Sequence, residues 1–420
     1  MSLALPPGYA VLDVATVRPV VADLPDLVAR LGGAPDDWRV REIGDGNMNL
    51  VFDIEGPGGA IILKQSLPYI RSVGESWPFP IGRIGFEQAA LEVQARLCPG
   101  RVPEIYRYDE RMAFIAMERL SPHIVLRKGL VCGVRYPRLA EHMADFLARS
   151  LFLSSTLAQP TDETKALMAR FAGNAELCAT TEDVIFTGPY WAAPLNRWTQ
   201  PHLDEAVAAL RRDEEAIAAA AELKLLFRSG AEALIHGDLH TGSIMASAED
   251  TRVIDPEWAF CGPMGFDIGA LLGNLLLAYF SQPGHATAAD DRRSYADWIL
   301  EQVVGIWDGF AAAFGALWRA HDTETLPPPH PRGGLAMERL IDRRLAAILA
   351  NAIGFAGAKM IRRLVGISHV EDFEAIADPA RRAACELKAL ACAREMTVRR
   401  ASFGAIDELV ALARATATST

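Results

Sequence analysis

Three short apolar runs mark the first 120 residues: Leu50-Val51-Phe52-Asp53-Ile54, then Ala60-Ile61-Ile62-Leu63-Lys64 after a Gly-Pro-Gly-Gly turn, then Met112-Ala113-Phe114-Ile115-Ala116-Met117. Runs of this length rich in branched residues and bounded by turn residues predict strands. Between the second and third, apolar residues at 86, 89, 90, 93 and 97 fall on one helical face and stop at Pro99-Gly100, so a helix is predicted over 85–97. Strand, strand, helix, strand describes a small α+β lobe. After Ser121-Pro122 the period lengthens to that of helices, over 138–157, 203–227, 266–280, 298–318, 337–364 and from 379 onward. A proline-rich stretch at 326–331 separates two of them, and 416–420 reads as a frayed tail. No internal repeat or low-complexity segment is visible. The expected domains are 1–119, an N-terminal lobe, and 120–420, a helical lobe.

Composition narrows the class. The chain has 420 residues, half of them apolar and 23% charged, which suits a compact globule able to bury a large core without disulfide or metal staples. A formal charge of −11 opposes general binding to nucleic acid or anionic lipid and favours a small substrate. The balance is uneven: from Arg332 to Arg400 there are 13 basic residues against 8 acidic, so an anion-facing surface is expected there. Six cysteines without a C-x-x-C spacing, and a start that lacks a basic and apolar leader, fit a reducing cytoplasm. The most apolar stretch, 268–280, is shorter than the roughly 20 residues a bilayer span needs and reads as a buried helix.

The sharpest chemistry lies in Leu234-Ile235-His236-Gly237-Asp238-Leu239-His240-Thr241-Gly242-Ser243-Ile244-Met245, followed by Arg252-Val253-Ile254-Asp255-Pro256-Glu257-Trp258. Short apolar strands flank a polar loop. Phosphoryl transfer needs a carboxylate beside the acceptor hydroxyl and further carboxylates for the magnesium that neutralises phosphate charge. Asp238 and Asp255 match the kinase spacing His-x-Asp-x-x-x-x-Asn followed by a metal-binding Asp at the next strand end, with Ser243 in place of the Asn. A Ser hydroxyl binds a metal more weakly than an amide oxygen. A zinc reading of His236 and His240 lacks further ligands.

Upstream, Gly44-Asp45-Gly46-Asn47 lies between predicted strands. Alone it is equally an ordinary hairpin turn. Such a turn also lets backbone amides approach ATP phosphates, and Lys64 follows 18 residues after Gly46 at the end of an apolar strand. An inward Lys needs an acid, for which Glu87 is the best candidate and Glu92 the second. Glu118-Arg119-Leu120 follows the last strand, where backbone groups are placed to read an adenine edge or simply to connect. Asp267, at the start of a helix, is expected to tie down the catalytic-loop backbone or to complement the helix dipole.

With these residues in order, the chain resembles the methylthioribose kinases, a branch of the protein-kinase-like small-molecule kinases that includes aminoglycoside phosphotransferases and choline kinases. The stretches HGDLHTGSIM, DPEWAFCGPMGFDIG, LGNLLLAYFSQ, GDGNMNLVF, LPYIRSVGESWP and KMIRRLVGISHVEDFE carry the resemblance, from about residue 44 to 374. Ser243 is that family's own pattern. Trp258, Cys261 and Phe79 depart from it, which bears on pocket shape.

The resemblance implies a bilobal protein-kinase-like fold of α+β class, with a small N-terminal β-rich lobe and a large, mainly α C-terminal lobe. It implies magnesium-dependent transfer from ATP to the 1-hydroxyl of methylthioribose, a step of methionine salvage, by a cytoplasmic homodimer. Carried over, Gly44, Gly46, Asn47, Lys64 and Glu87 would serve ATP, Glu118, Arg119 and Leu120 its adenine end, and Asp255, Pro256 and Glu257 the phosphates. Asp255, Glu257 and Ser243 would hold the metal. Asp238 would bind the sugar hydroxyl as base or orienter. The twin Arg362 and Arg363, and Trp77, would face the substrate, although two Arg near a helix end also complement its dipole and a Trp also packs in cores. Two alternatives stay open: a kinase for another sugar or amino alcohol, and a nucleotide-binding regulator without catalysis.

Overall fold

The computed structural model describes residues 5–44, 48–71, 74–321, 325–327 and 334–419. It divides into two compact units: the first comprises 1–122 together with 254–259, and the second comprises 123–253 and 260–420. The return of 254–259 to the first unit is invisible to a single cut at residue 120.

The first unit opens with helices α1 (Val17–Ala22) and α2 (Pro25–Leu31). Strands β1 (Arg39–Glu42), β2 (Asn49–Gly56) and β3 (Gly59–Ser66) follow, then a short hairpin, β4 (Tyr69–Ile70) and β5 (Gly74–Pro78). Helix α3 (Arg83–Leu97) and strands β6 (Ile105–Asp109) and β7 (Phe114–Glu118) complete it. Its antiparallel five-stranded sheet has the order β1-β2-β3-β7-β6. Because side chains alternate across a strand, β3 sends Ile61 and Leu63 into a core with Phe52, Ile54, Phe114 and the apolar faces of α1 and α2. The opposite face carries Ile62 and Ile115 against Ile84 of α3. Lys64 pairs in register with Ile115 and shares its parity with Ile62, so it belongs to the α3 face.

The second unit begins with β8 (Ile124–Val125), α4 (Leu126–Cys132), α5 (Leu139–Leu153), α6 (Thr161–Phe171) and α7 (Ala175–Phe186). Next come α8 (Asp204–Leu210), α9 (Glu214–Ser229) and strands β9 (Ala233–Ile235), β10 (Ile244–Ala246), β11 (Thr251–Val253) and β12 (Phe260–Gly262). Six helices close it: α10 (Met264–His285), α11 (Arg293–Ala320), α12 (Leu335–Val365), α13 (Glu371–Glu374), α14 (Pro379–Val398) and α15 (Ile406–Thr418). Strands β8, β10 and β11 form one small sheet, and β9 with β12 another. The loop 236–243 is thus held at both ends by strands.

Helix α10 is the centre of this unit, packed chiefly on α12. Gly265, Gly269 and Gly273 recur every fourth residue and present a bare stripe to α12. A Cβ at Gly265 would lie 2.8 Å from Asn351 Cβ, and one at Gly273 would lie 2.8 Å from the Ala356 carbonyl oxygen. The absence of side chains there lets the two backbones approach closely.

Three expectations need correction. The predicted helix over 203–227 is two helices, because Asp213 stops the run and its Oδ1 caps α9 by accepting from Ala216 N at 3.1 Å. The tail is helical to Thr418, tied down by buried Leu409 and Ala413. Helix α10 extends beyond its apolar run to 22 residues, long enough and apolar enough to cross a membrane, so the length argument fails. The whole of its most apolar window is instead buried inside the unit. Helices α6 and α7 had no sequence expectation.

Candidate active site

Two groups of polar side chains stand out, one in each unit. In the first unit, the Lys64 ammonium meets Glu87 at 2.8 Å and Asp255 at 2.8 Å. Strand β3 delivers the Lys and α3 the Glu, whose side chain is fully buried. Burial acts to lower the Lys64 pKa, but the carboxylates of Asp255 and Glu87 outweigh it and hold the group above the ordinary lysine value. Burial works to raise the Glu87 carboxyl, and the Lys64 ammonium opposes it. Asp255 adopts a left-handed backbone, φ 64°, which Asp tolerates better than most residues and which recurs at functional sites.

Arg83 organises the rest of this group. Its guanidinium, completely buried, donates to the carbonyls of Met48 (2.9 Å), Leu67 (2.8 Å) and Pro80 (2.8 Å), to Asn49 Oδ1 (2.7 Å) and to Glu257 Oε2 (3.2 Å). Asn49 Nδ2 donates to the same Glu257 oxygen at 2.9 Å. One Arg therefore joins the end of the Gly-rich turn, the β3–β4 connection and the acidic segment. Glu257 Oε2 is committed to this network.

Other predicted residues are placed as follows. Gly44 is exposed, while Gly46 and Asn47 lie outside the described residues. Glu118 ends β7 and accepts from the Glu104 amide at 3.2 Å. Arg119 pairs with Asp53 at 3.1 Å and Glu55 at 3.3 Å. Leu120 is half-buried, Pro256 is buried and Trp77 is half-buried on β5. Phe79 and Trp258 meet with ring centroids 6.0 Å apart.

In the second unit the loop after β9 places Asp238. Gly237 takes φ 83°, where a side chain would be strained. Asp267, at the first turn of α10, accepts from His236 N at 2.6 Å and Gly237 N at 3.0 Å, the backbone tether expected of it. Asp238 Oδ1 receives Lys359 Nζ at 2.6 Å, and Arg363 Nη2 stands 3.9 Å from Oδ2. His240 Nε2 lies 3.4 Å from Oδ2, while its Nδ1 accepts from Gly242 N at 2.9 Å. That acceptance fixes the neutral tautomer that carries hydrogen on Nε2. Burial lowers the His240 pKa to about 3. Burial alone would raise Asp238, but Lys359, His240 and Arg363 outweigh it and hold the carboxyl well below the usual carboxylate range. Ser243 Oγ donates to the Asp238 carbonyl at 3.1 Å and so braces the loop. Arg363 is buried and donates to the Ser368 carbonyl at 2.7 Å, and Arg362 beside it is half-buried.

Among the described residues, no group of three or more His, Cys, Asp or Glu side chains is arranged to hold a metal ion. Asp255 and Glu257 do fit magnesium, which characteristically takes one or two protein carboxylates and completes its shell with phosphate oxygens and water. The Asp255 carboxylate is the more available, with its side chain 44% exposed.

A buried Lys–Glu pair with an acid after a strand, and a second acid held ionised in a loop, are the parts of a phosphotransferase. Residues 39–307 match the Phosphotransferase enzyme family. Over 407 residues the chain is 46% identical to methylthioribose kinase 1 of Oryza sativa subsp. japonica, covering 96% of this chain and 95% of that protein. Over 417 residues it is 41% identical to the methylthioribose kinase of Escherichia coli O45:K1 (strain S88 / ExPEC), covering 99% and 100%. The chain belongs to the methylthioribose kinase family. Its fold is of the protein-kinase-like class, a β-rich N-terminal part followed by a mainly helical one. Among solved structures, a glucosamine kinase (crystal form B) is similar at 15% identity, covering 90% of this chain and 86% of that one with a TM-score of 0.45, a likeness too distant to add to the family assignment.

Sequence reading missed Lys359, Arg83 and the role of His240. Lys359 had a signal: it is the single charge in an otherwise apolar stretch of α12, from Ala352 to Ile361. Arg83 had none, since its five acceptors come together only in the fold.

Proposed function

We propose that this chain transfers the terminal phosphoryl group of ATP to the 1-hydroxyl of methylthioribose, a step of methionine salvage. The observation that carries this reading is the likeness to methylthioribose kinases over nearly the whole chain. In this reading Lys64, fixed as a cation by Glu87 and Asp255, binds nucleotide phosphate oxygens. Magnesium, when bound through Asp255 with Glu257 beside it, supplies neutralisation of phosphate charge. Arg83 keeps the Gly-rich turn and Glu257 in register. Asp238 is held ionised by Lys359, so it accepts a hydrogen bond from the sugar hydroxyl and aims the oxygen at phosphorus. Phosphoryl transfer has a loose transition state, so orientation and charge do most of the work. Arg362 and Arg363 supply fixed donors to the sugar and to the charge that arrives on its oxygen. Trp77 borders the acceptor, and the 118–120 connector meets the adenine. A homodimer and a cytoplasmic location complete the reading, which includes no nucleic acid or membrane partner.

The test is ADP release by the purified protein with ATP and magnesium, offered methylthioribose beside ribose, homoserine, choline and an aminoglycoside. Turnover with methylthioribose above the others is expected. Turnover confined to another acceptor would keep the chemistry and discard the substrate. ATP binding without turnover on any acceptor would leave a regulator.

A further inference from the structure

The sheet face that carries Lys64 holds a second ion-pair group, which the reading above leaves without a task. Strand register sets Asp53 of β2 between Arg41 of β1 and Ile62 of β3, and sets Ile62 beside Met117 of β7. Residues directly opposite one another across a sheet share a face, so this row runs parallel to the Val51–Lys64–Ile115 row. It lies ~7 Å farther along the strands, on the side of Glu118 and the connector that follows it. On β3 and β7 the row is apolar, with Ile62 and Met117 packed near Ile84 of α3.

Asp53 is nevertheless buried in that row, its side chain 3% exposed. Its Oδ2 accepts from Arg41 Nε at 2.9 Å and Nη2 at 2.6 Å, and lies 3.1 Å from Arg119 Nη2. Among the described residues, Oδ1 has no hydrogen-bond partner. Arg119 Nη1 donates to Glu55 at 3.3 Å. A buried carboxylate is costly beside apolar neighbours, and an apolar side chain would fill the position without that cost. What the acid adds is its hold on the two arginines. Arg41 is 56% exposed on the edge strand, where an ion pair contributes little. Arg119 belongs to the 118–120 connector. Glu118 N bonds the Glu104 carbonyl at 2.8 Å, but among the described residues no main-chain hydrogen bond joins Arg119 or Leu120 to the sheet. The Arg119 side chain therefore ties the connector to β2.

We propose that Asp53 is a positioning residue for the nucleotide base: by holding Arg119 it fixes the connector backbone against an adenine edge, and so sets a preference for ATP over GTP. This deepens the phosphotransferase reading and rests on it for the nucleotide and for the place of its base. Backbone amides and carbonyls discriminate between bases only while they stay in place, because rejection of the wrong base comes from groups left unpaired. Lys64, one row away, holds phosphates and does not depend on Asp53.

The experiment compares ADP with tripolyphosphate, which has phosphates but no base, by calorimetry on the full chain with magnesium and no acceptor. Asp53→Asn should raise Kd for ADP at least tenfold and leave Kd for tripolyphosphate within twofold. With acceptor present, KM for ATP should rise at least tenfold while kcat at saturating ATP stays within twofold. The ratio of kcat/KM for ATP to that for GTP should fall at least tenfold. Arg119→Met should give the same pattern, and it keeps the test open if Asp53→Asn fails to fold. Arg41→Met, which leaves the Asp53–Arg119 pair in place, should change Kd for ADP less than threefold. An acid that only supported the sheet would, when replaced, weaken ADP and tripolyphosphate together and lower kcat. That joint loss, or ADP binding within threefold of wild type in both Asp53→Asn and Arg119→Met, would overturn the proposal. Both ligands bind without acceptor, so turnover confined to another acceptor would overturn the methylthioribose reading and leave the role of Asp53 standing.

Discussion

Lys359→Met isolates what keeps Asp238 charged. Methionine keeps much of the aliphatic length that Lys359 lays over the Phe266 ring, where Nζ sits 4.5 Å from the centroid. What it removes is the ammonium 2.6 Å from Asp238 Oδ1, on a side chain 1% exposed. At that distance and an effective dielectric of about 20, the attraction is ~6 kcal/mol. Desolvation cancels much of this, and opposite charges at such range shift carboxyl pKa values by ~1 to 3 units. Arg363 remains at 3.9 Å, so the carboxyl of the variant keeps part of its support while its pKa rises toward the ordinary carboxylate range. The assay is kcat/KM for methylthioribose against pH. Asp238 must be ionised to orient the hydroxyl, so the wild-type profile should stay flat on its acid side until the chain unfolds. The acid limb of the variant should move to higher pH, into the range where the wild-type profile is flat. A lysine that only filled space would lower Tm without moving that limb, and an unmoved limb at normal kcat would refute the reasoning.

Three further outcomes follow from the same geometry. His240 has a folded pKa of about 3, below its ordinary 6.5, so between those values the unfolded chain binds a proton that the folded chain does not. Its contribution is complete above pH 6.5 and falls with pH, by about 1.4 kcal/mol at pH 5.5; urea unfolding at pH 7.5 and 5.5 should show this difference shrink by that amount in His240→Asn. Arg83→Met strands Glu257, Asn49 and three carbonyls and should cost about 3 to 5 kcal/mol in denaturant unfolding, with KM for ATP raised at least tenfold; a loss below about 1 kcal/mol would contradict the network. Gly269→Ala would drive a methyl into the Ala352 carbonyl and to 2.9 Å from Ala356 N. Separating α10 from α12 should cost about 3 kcal/mol, read by urea unfolding, where an unchanged midpoint would mean that the stripe is not in contact.

The strands β2, β3 and β7 and the helix α3 were legible because period and turn residues agree there. Asp238, Asp255 and the Lys64–Glu87 pair were legible because their chemistry is local or repeats at a fixed separation. Partners distant along the chain were not: Lys359 reaches Asp238 across 121 residues, and Arg83 reaches Glu257 across 174. Spacing arguments cannot see such meetings. Some misses were avoidable. Asp213-Glu214-Glu215 is an ordinary helix start inside the run taken as one helix, and the helical spacing of Ile406, Leu409 and Ala413 runs up to the 416–420 tail that was taken as frayed. The α10 length was misjudged because Gly and polar residues at its ends, buried against α12 and α14, do not look apolar.

The most direct measurement follows the phosphorus itself. The purified chain is incubated with ATP, magnesium and methylthioribose, and the products are resolved by phosphorus NMR, beside the Asp238→Ala variant. The account predicts one new monoester resonance coupled to the anomeric proton of the sugar, formed in equal amount to ADP, and lost in the variant while ATP binding persists. Phosphate on any other oxygen, or an Asp238→Ala chain that turns over at a near-normal rate, would contradict it.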